Sequence, residues 1–311
     1  MDISVIVPTL NRAASVDALL RDLVCQTGAA TFEVLVVDNG SSDDTARVVQ
    51  RHVDRDARVR YVLERRPGAS HARNAGIARA AAPILAFIDD DVRPRHDWVA
   101  SIAAAFAARP DIDCFGGRVE PRWSAPPPPW LTRAHWAPLA LQIDRGHSRY
   151  IDREHASACL ITANFACRAK VFAEVGGFAP EYRRDEDREF NLRMWRAGKR
   201  GLYVDSIVAF ADVQPERLAK RYHREWHRVT GASHARLRYL DTIDPLGRLD
   251  DRMPARGRVW WGVPGFLYRE LVASAGRWMR HMLTAAWDRA FADECRMRYL
   301  ASYVATRWRT T

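Results

Sequence analysis

The chain has 311 residues, 48% of them hydrophobic and 28% charged, with a formal net charge of +10. That length and balance provide a full core for one large or two small domains and exclude a fibrous or disordered chain. The cationic excess points to an anionic partner (nucleotide phosphates, acidic lipid or nucleic acid) or to no more than an Arg-rich soluble surface.

In chain order, Ile3 to Val7 is a strand-like run that ends at Pro8-Thr9-Leu10-Asn11-Arg12, where Pro stops the pairing and Thr and Asn suit a turn. Ser15 to Val24 has a helical apolar face of Val16, Leu19, Leu20 and Leu23. Phe32 to Val37 is a second strand, and Asp38 to Thr45 is a turn leading into a helix with Val48 and Val49. Arg60 to Leu63 is a third strand, Ala69 to Ala81 an Ala-rich helix carrying Arg73, Asn74 and Gly76, and Ile84 to Ile88 a fourth strand. This alternation predicts an α/β fold with a doubly wound, mostly parallel sheet. No GxGxxG or Walker A sequence follows the first strand, so any nucleotide is held in another way.

The fourth strand ends in Asp89-Asp90-Asp91. Adjacent carboxylates raise one another's pKa, and a hard divalent cation relieves that crowding. Ligands of open α/β sheets lie beyond the carboxyl ends of strands, where this triplet falls. A solvated acidic turn is the alternative.

Trp98 to Ala108 reads as a helix, Cys114 to Val119 as a strand, and Pro121 to Pro138, with four consecutive prolines at 126–129, as an irregular loop or spacer. Ala158 to Cys167 is predicted as a strand and Lys170 to Phe178 as a short helix stopped by Gly. Arg184 to Trp195 is a helix whose acidic start suits the N-terminal dipole, and Gly201 to Val204 is a further strand. Arg217 to Leu240 is a basic helix. Residues 252–311 hold eleven Arg against four acidic residues, and five Trp, with apolar residues at helical spacing. Trp and Arg on amphipathic helices suit an anionic membrane surface, and equally an ordinary helical pack.

The five Cys, at 25, 114, 159, 167 and 295, lack CxxC spacing and fit free thiols in a reducing compartment, with no required Cys159–Cys167 bridge. No secretory leader precedes Ile3, and no apolar run reaches the ~18 residues of a membrane span. The expected location is cytoplasmic, soluble or peripheral on the inner face of the plasma membrane.

The ordered set Ser4 to Arg12, Glu33 to Ser41, Ala72 to Gly76, the Asp triplet, Asn164-Phe165 to Gly176-Gly177-Phe178, and Glu186-Asp187 followed by Arg193 resembles glycosyltransferase family 2. These are inverting nucleotide-sugar transferases of the GT-A fold, and the resemblance covers roughly residues 1–215. It implies a catalytic domain at 1–215, with a nucleotide-sugar-binding half at 1–120 and an acceptor-side half at 121–215. A basic, Trp-rich helical extension at 216–311 follows. It further implies transfer of a sugar to a hydroxyl of a glycan or lipid-linked acceptor, in cell-surface polysaccharide or glycolipid synthesis, with a UDP-sugar as the first expectation for the donor.

By the same resemblance, Thr9 and Asp38 contact the nucleotide, Asp38 at the base. Arg73 lies near the diphosphate, where its planar fork suits phosphate oxygens. Asp89 and Asp91 match the family's Asp-X-Asp. Asp91 would hold Mg²⁺ or Mn²⁺, Asp89 ribose or sugar hydroxyls with a share in the metal, and Asp90 the turn beside the nucleotide. Asp187, with Glu186, is the expected general base. Many relatives carry a His after the following strand; here Phe210-Ala211-Asp212 stands in that place, so Asp212 is a candidate oxygen ligand. Each residue also has a plainer reading: a turn hydroxyl for Thr9, an Asx turn for Asp38, a snorkelling surface Arg for Arg73, a solvated helix start for Glu186-Asp187. A member that has lost catalysis and serves in assembly is one rival. A nucleic-acid-binding protein is another, although no recognisable binding motif interleaves the basic residues.

Overall fold

The structure is a computed structural model that describes residues 1–144, 146–182, 184–251 and 259–310. By internal contacts it divides into two units, residues 1–122 with 142–212 and residues 123–141 with 213–311.

Unit 1 is an α/β layer structure. Its elements begin β1 (Ile3–Thr9), α1 (Ala13–Val24), β2 (Phe32–Asp38), α2 (Thr45–Val53), β3 (Val59–Leu63), α3 (Ala69–Ile77) and β4 (Ile84–Phe87). They continue β5 (Val92–Pro94), α4 (Trp98–Ala108), β6 (Cys114–Trp123), β7 (Arg149–Ile151), β8 (Phe165–Arg168), α5 (Ala169–Val175), α6 (Glu186–Arg196) and β9 (Gly201–Val213). The sheet order is β3-β2-β1-β4-β8-β6-β9-β5, with β7 on β9. β1 to β4 pair in parallel, as the β-α-β alternation predicts. The pairings of β4 with β8, β6 with β8, and β9 with β5 and β7 are antiparallel. A continuous apolar run marks a strand buried on both faces but carries no direction, so the antiparallel half was not written in the pattern.

Several boundaries differ from the expected ones. Residues 158–161 are not strand: Thr162–Asn164 is a 3-10 turn, and only Phe165–Arg168 pairs. The short strand β5, just after the Asp triplet, has no apolar run to announce it. The expected irregular stretch after Pro121 contains the end of β6 and two 3-10 turns, at Arg133–His135 and Ala137–Leu139.

Close approaches fix α3 on the sheet. A Cβ on Gly76 would lie 2.5 Å from Ile6 Cγ2, so only Gly lets this helix reach β1. Two residues earlier, Asn74 Nδ2 donates to the Phe178 carbonyl at 2.7 Å and Asn74 Oδ1 accepts from the Phe178 N–H at 2.8 Å. Phe178 belongs to a buried aromatic cluster with Phe87 of β4 and Phe190 of α6, ring centroids 5.5 and 4.9 Å away. This cluster packs the C-terminal end of β4 and the first turns of α6 around common apolar neighbours.

Unit 2 is helical: α7 (Lys220–Arg236), α8 (Tyr239–Thr242), a two-stranded hairpin of β10 (Val259–Trp260) and β11 (Val263–Pro264), α9 (Gly265–Leu283) and α10 (Trp287–Thr310). Val263, Leu267, Leu300 and Tyr303 form its core, with Ala235 of α7. A second cluster gathers Trp130 and His135 from the 123–141 segment with His223 of α7 and Phe291 of α10. The expected division at residue 215 follows the extent of the family resemblance. The contacts instead group residues 123–141 with the C-terminal helices, because Trp130 and His135 find their apolar partners there. Of the expected extension, residues 252–258 and 311 lie outside the described residues. All five Cys are free, and all but Cys25 are buried.

Candidate active site

The site is built at the carboxyl ends of β1, β2 and β4. Parallel pairing places Thr9 and Asp38, the last residues of β1 and β2, directly opposite one another. Both are buried, at 3% and 1% exposure. Asp38 Oδ1 accepts from the Ser41 N–H, three residues on, at 2.8 Å, and Oδ2 accepts from the Tyr61 hydroxyl at 2.8 Å. A carboxylate has about four lone-pair sites, so these bonds orient Asp38 and leave it capacity for a ligand donor. Burial, then the bond to Asp38, push the Tyr61 hydroxyl up to about 12, which keeps it a donor.

Thr9 Oγ1 donates to Asp90 Oδ2 at 2.7 Å. Burial pushes Asp90 up to about 7 against the pull of that bond, and the neighbouring charges of Asp91 and Asp89 add to the rise. Asp91 lies 3.5 Å from Arg12 Nη1, and its carbonyl accepts the Asp212 N–H at 3.0 Å. The pairing of β5 with β9 brings these two main chains together. The Asp212 carboxylate meets Arg122 Nε at 3.2 Å. Among the described residues, no three His, Cys, Asp or Glu side chains converge on a point that could hold a metal ion.

Arg73 joins the two acidic segments. Its side chain is 5% exposed, with Nη2 donating to Asp89 Oδ1 at 2.9 Å and Nη1 to Glu186 Oε1 at 2.7 Å. The guanidinium carbon stands 5.7 Å from the centroid of the Phe178 ring. Burial works against its charge, but Asp89 and Glu186 outweigh it and hold its pKa above the ordinary value. Its Nε has no partner among the described residues.

Asp187 sits in the first turn of α6. Burial raises its carboxyl to about 7, with contributions from Glu186 and Asp185. The Arg188 N–H donates to its Oδ1 at 2.7 Å. Asp185, just before the helix, has φ +64°, a left-handed conformation that a non-Gly residue adopts at some cost. Asn164 and Arg193, by contrast, are structural. Asn164 bonds Trp98 Nε1 and the Arg118 and Ile207 carbonyls, and Arg193 bonds Glu189 and the Gly177 carbonyl.

The structure thus brings Thr9 to Asp90, Arg73 to Asp89 and Glu186, and the Asp212 main chain to Asp91. Tyr61, Arg12, Arg122 and Phe178 join them without having been singled out. Arg12 had a signal, since it ends the turn after β1. Tyr61 had only its place in an expected strand, and Arg122 fell in the stretch expected to be irregular. A carboxyl near 7 exchanges protons at neutral pH, and a fixed cation beside a carboxylate pair orders an anionic substrate.

The family model described as Glycosyl transferase family 2 matches residues 4–176. The chain is 44% identical over 108 residues to the validoxylamine A glucosyltransferase of Streptomyces hygroscopicus subsp. jinggangensis, a match covering 34% of this chain and 25% of that one. It spans less than two-thirds of the length of the curated relatives it resembles. The mannosyltransferase PcManGT from Pyrobaculum calidifontis, in complex with GDP-Man and Mn²⁺, has a TM-score of 0.63 at 18% identity, over 99% of this chain and 88% of that one. S. aureus TarS 1–349, in complex with UDP-GlcNAc, has a TM-score of 0.55 at 19% identity, over 75% and 66%. At these identities the structural likeness establishes the fold.

Proposed function

The chain belongs to glycosyltransferase family 2 and has the GT-A fold, and from that premise we propose that it transfers a sugar, with inversion, from a nucleoside diphosphate donor to an acceptor hydroxyl. The observation that carries the reading is the Arg73 fork, which reaches Glu186 across 113 residues of chain and Asp89 of the triplet across 16. It makes one site of two acidic segments that would otherwise repel.

Asp38, oriented by Ser41 and Tyr61, takes the nucleotide base, and Thr9 lies beside it. Asp89 meets ribose or sugar hydroxyls, and Asp90 holds the turn through Thr9. Asp187 takes the proton of the acceptor hydroxyl as that oxygen attacks the anomeric carbon opposite the departing diphosphate. Glu186 positions Arg73 and helps keep the Asp187 pKa near neutrality.

The all-oxygen donor set fits a hard divalent cation; burial is the main cause of the rise in Asp90, and the smaller share from the charges of Asp91 and Asp89 is the part such a cation would relieve. Asp91, with Asp89, would hold Mg²⁺ or Mn²⁺, with the remaining ligands from donor phosphates and Asp212 alongside. When bound, the ion neutralises charge on the leaving diphosphate. A neighbouring fold bound to GDP-Man and Mn²⁺, and another bound to UDP-GlcNAc, support the donor class; a UDP-sugar is the first donor to test. The acceptor in this reading is a glycan or lipid-linked hydroxyl, used in cell-surface polysaccharide or glycolipid synthesis at the cytoplasmic face of the membrane.

The test is a panel of UDP- and GDP-sugars incubated with the protein and Mn²⁺, reading donor hydrolysis and nucleotide affinity. One donor should stand out, with metal-dependent binding. Binding of no nucleoside diphosphate, with or without metal, would sink the reading.

A further inference from the structure

The exposed apolar side chains are unevenly placed. Of the thirteen large hydrophobic residues exposed among the described residues, nine fall between Val259 and Trp308, in unit 2. On α9, Val272, Gly276, Met279 and Leu283 recur at spacings of four, three and four, which places them along one helix face. Val272 is 72% exposed, Met279 55% and Leu283 88%. The opposite face carries Leu267 and Ser274, which are buried. At 1.5 Å per residue the stripe runs most of a helix about 28 Å long.

Aromatic residues close off one end. Trp308 donates its indole N–H to the Tyr268 hydroxyl at 2.8 Å, and its ring lies 6.2 Å from that of Trp261. Trp261 and Trp308 are nonetheless 75% and 50% exposed. At the other end, just past Leu283, Trp287 is 57% exposed.

The charges divide in the same way. Glu270, Asp293 and Glu294 are each engaged by Arg: Arg277 bonds Glu270 and Asp293, and Arg224 and Arg298 bond Glu294. Arg269, Arg280, Arg289 and Arg309 are exposed and form no ion pair among the described residues. Arg269 and Arg280 border the apolar stripe on the same helix.

We propose that this face of α9, with the flanking Trp residues, docks on an anionic lipid bilayer: the apolar stripe enters the headgroup boundary and the unpaired Arg residues meet lipid phosphates. Apolar residues bordered by Arg and ended by Trp are the chemistry of an interfacial helix. The formal net charge of +10 and the Arg residues beside the stripe complement an anionic surface and repel a second, equally cationic copy of this chain, which favours lipid over self-association. The inference deepens the proposed function on its acceptor side, and rests on it only for the view that the acceptor is lipid-linked.

The test is co-flotation of the full chain with phosphatidylcholine vesicles, with and without phosphatidylglycerol, beside calorimetric titration with UDP in the absence of vesicles. The wild type should float with the anionic vesicles and lose binding as salt rises. M279E/L283E should lower partitioning by at least about tenfold, and R269Q and R280Q by about fivefold each. These positions are exposed, so thermal melting should be unchanged and will show whether the variants are folded. Flotation unaltered in M279E/L283E overturns the proposal, as does equal binding to neutral and anionic vesicles. Stripe-dependent self-association in sedimentation, without vesicle binding, overturns it in favour of a second copy. Vesicle binding that follows the stripe while UDP fails to bind sustains the docking face and removes the UDP donor; UDP binding without stripe-dependent vesicle binding removes only the docking face.

Discussion

Asp187 meets the requirement for a base that works near neutrality: surroundings that disfavour its charge, supplied by burial and by the adjacent Glu186 and Asp185. The active form is ionised, so kcat/KM should rise with pH through about 7. D185N removes one of the raising charges and keeps a residue that tolerates the left-handed backbone, so the acid limb should move to lower pH. An unmoved limb would assign the titration to another group. D187N should lower transfer by about 10²- to 10⁴-fold and leave nucleotide affinity nearly unchanged; lost nucleotide binding would place Asp187 on the donor side. Stability has the opposite sign. The folded chain keeps a proton that the unfolded chain releases near 3.8, so this carboxyl's contribution falls as pH rises from about 4 to about 7, and D187N should flatten that slope in urea melts. For Arg73, R73M strips the partner from Asp89 and Glu186 and should destabilise the fold by about 3–5 kcal/mol. R73M/E186Q should recover part of that loss in denaturant titration; no recovery would mean that the pair is not the source of the loss.

The elements explain what the residue pattern could and could not announce. Strand ends were legible because apolar runs stop abruptly at Thr9, Asp38 and Asp89, and parallel neighbours then gather those ends without further information. Gly76 was visible as a glycine within a helix, and the 2.5 Å approach to Ile6 is the reason it is there. Partner choice was not legible: nothing local tells Arg73 to reach Glu186, because the aromatic cluster of Phe87, Phe178 and Phe190 is what brings α6 there. The Asn74 clasp on the Phe178 main chain holds that arrangement. N74A should cost about 1–3 kcal/mol in a denaturant titration and reduce activity together with stability; an unchanged midpoint would show the clasp to be idle. In unit 2, burial pushes His223 and His227 down to about 4 and lowers His135 as well, with Lys220 adding to the effect on His135 and Asp288 opposing it. His135 Nε2 and His223 Nδ1 are buried without partners among the described residues. These imidazoles are neutral in the fold. Their contribution is fully present above the unfolded value of about 6.5 and is lost as pH falls below it, towards about 4 for His223 and His227. Urea midpoints followed by Trp fluorescence should therefore drop between pH 7 and 5, and H135F should reduce the drop; an equal drop would exclude His135 as a contributor.

At the scale of the whole molecule, a net charge of +10 allows any polyanion to bind loosely, so a specific donor site has to be separated from general anion attraction. Linkage provides the separation. A ligand at a hundredfold excess over its Kd stabilises the folded state by about 2.7 kcal/mol, which for a unit of this size raises Tm by roughly 5–10 °C. Nucleoside diphosphate with Mn²⁺ should produce that rise, and a chelator should remove most of it, because in the proposed site a metal held at Asp91 would join the diphosphate to the chain. D91N should abolish the metal-dependent part and keep the remainder, since the proposed base contact at Asp38 and Thr9 would be left intact. Pyrophosphate with Mn²⁺ is the control: it has the phosphates and lacks the base, so it should stabilise less than UDP, and D38N should narrow the gap between them. General anion binding predicts another pattern, in which pyrophosphate equals UDP, D38N changes neither, and moderate salt erases both. That pattern would remove the nucleotide-sugar site and leave the basic surface as the whole account of the charge.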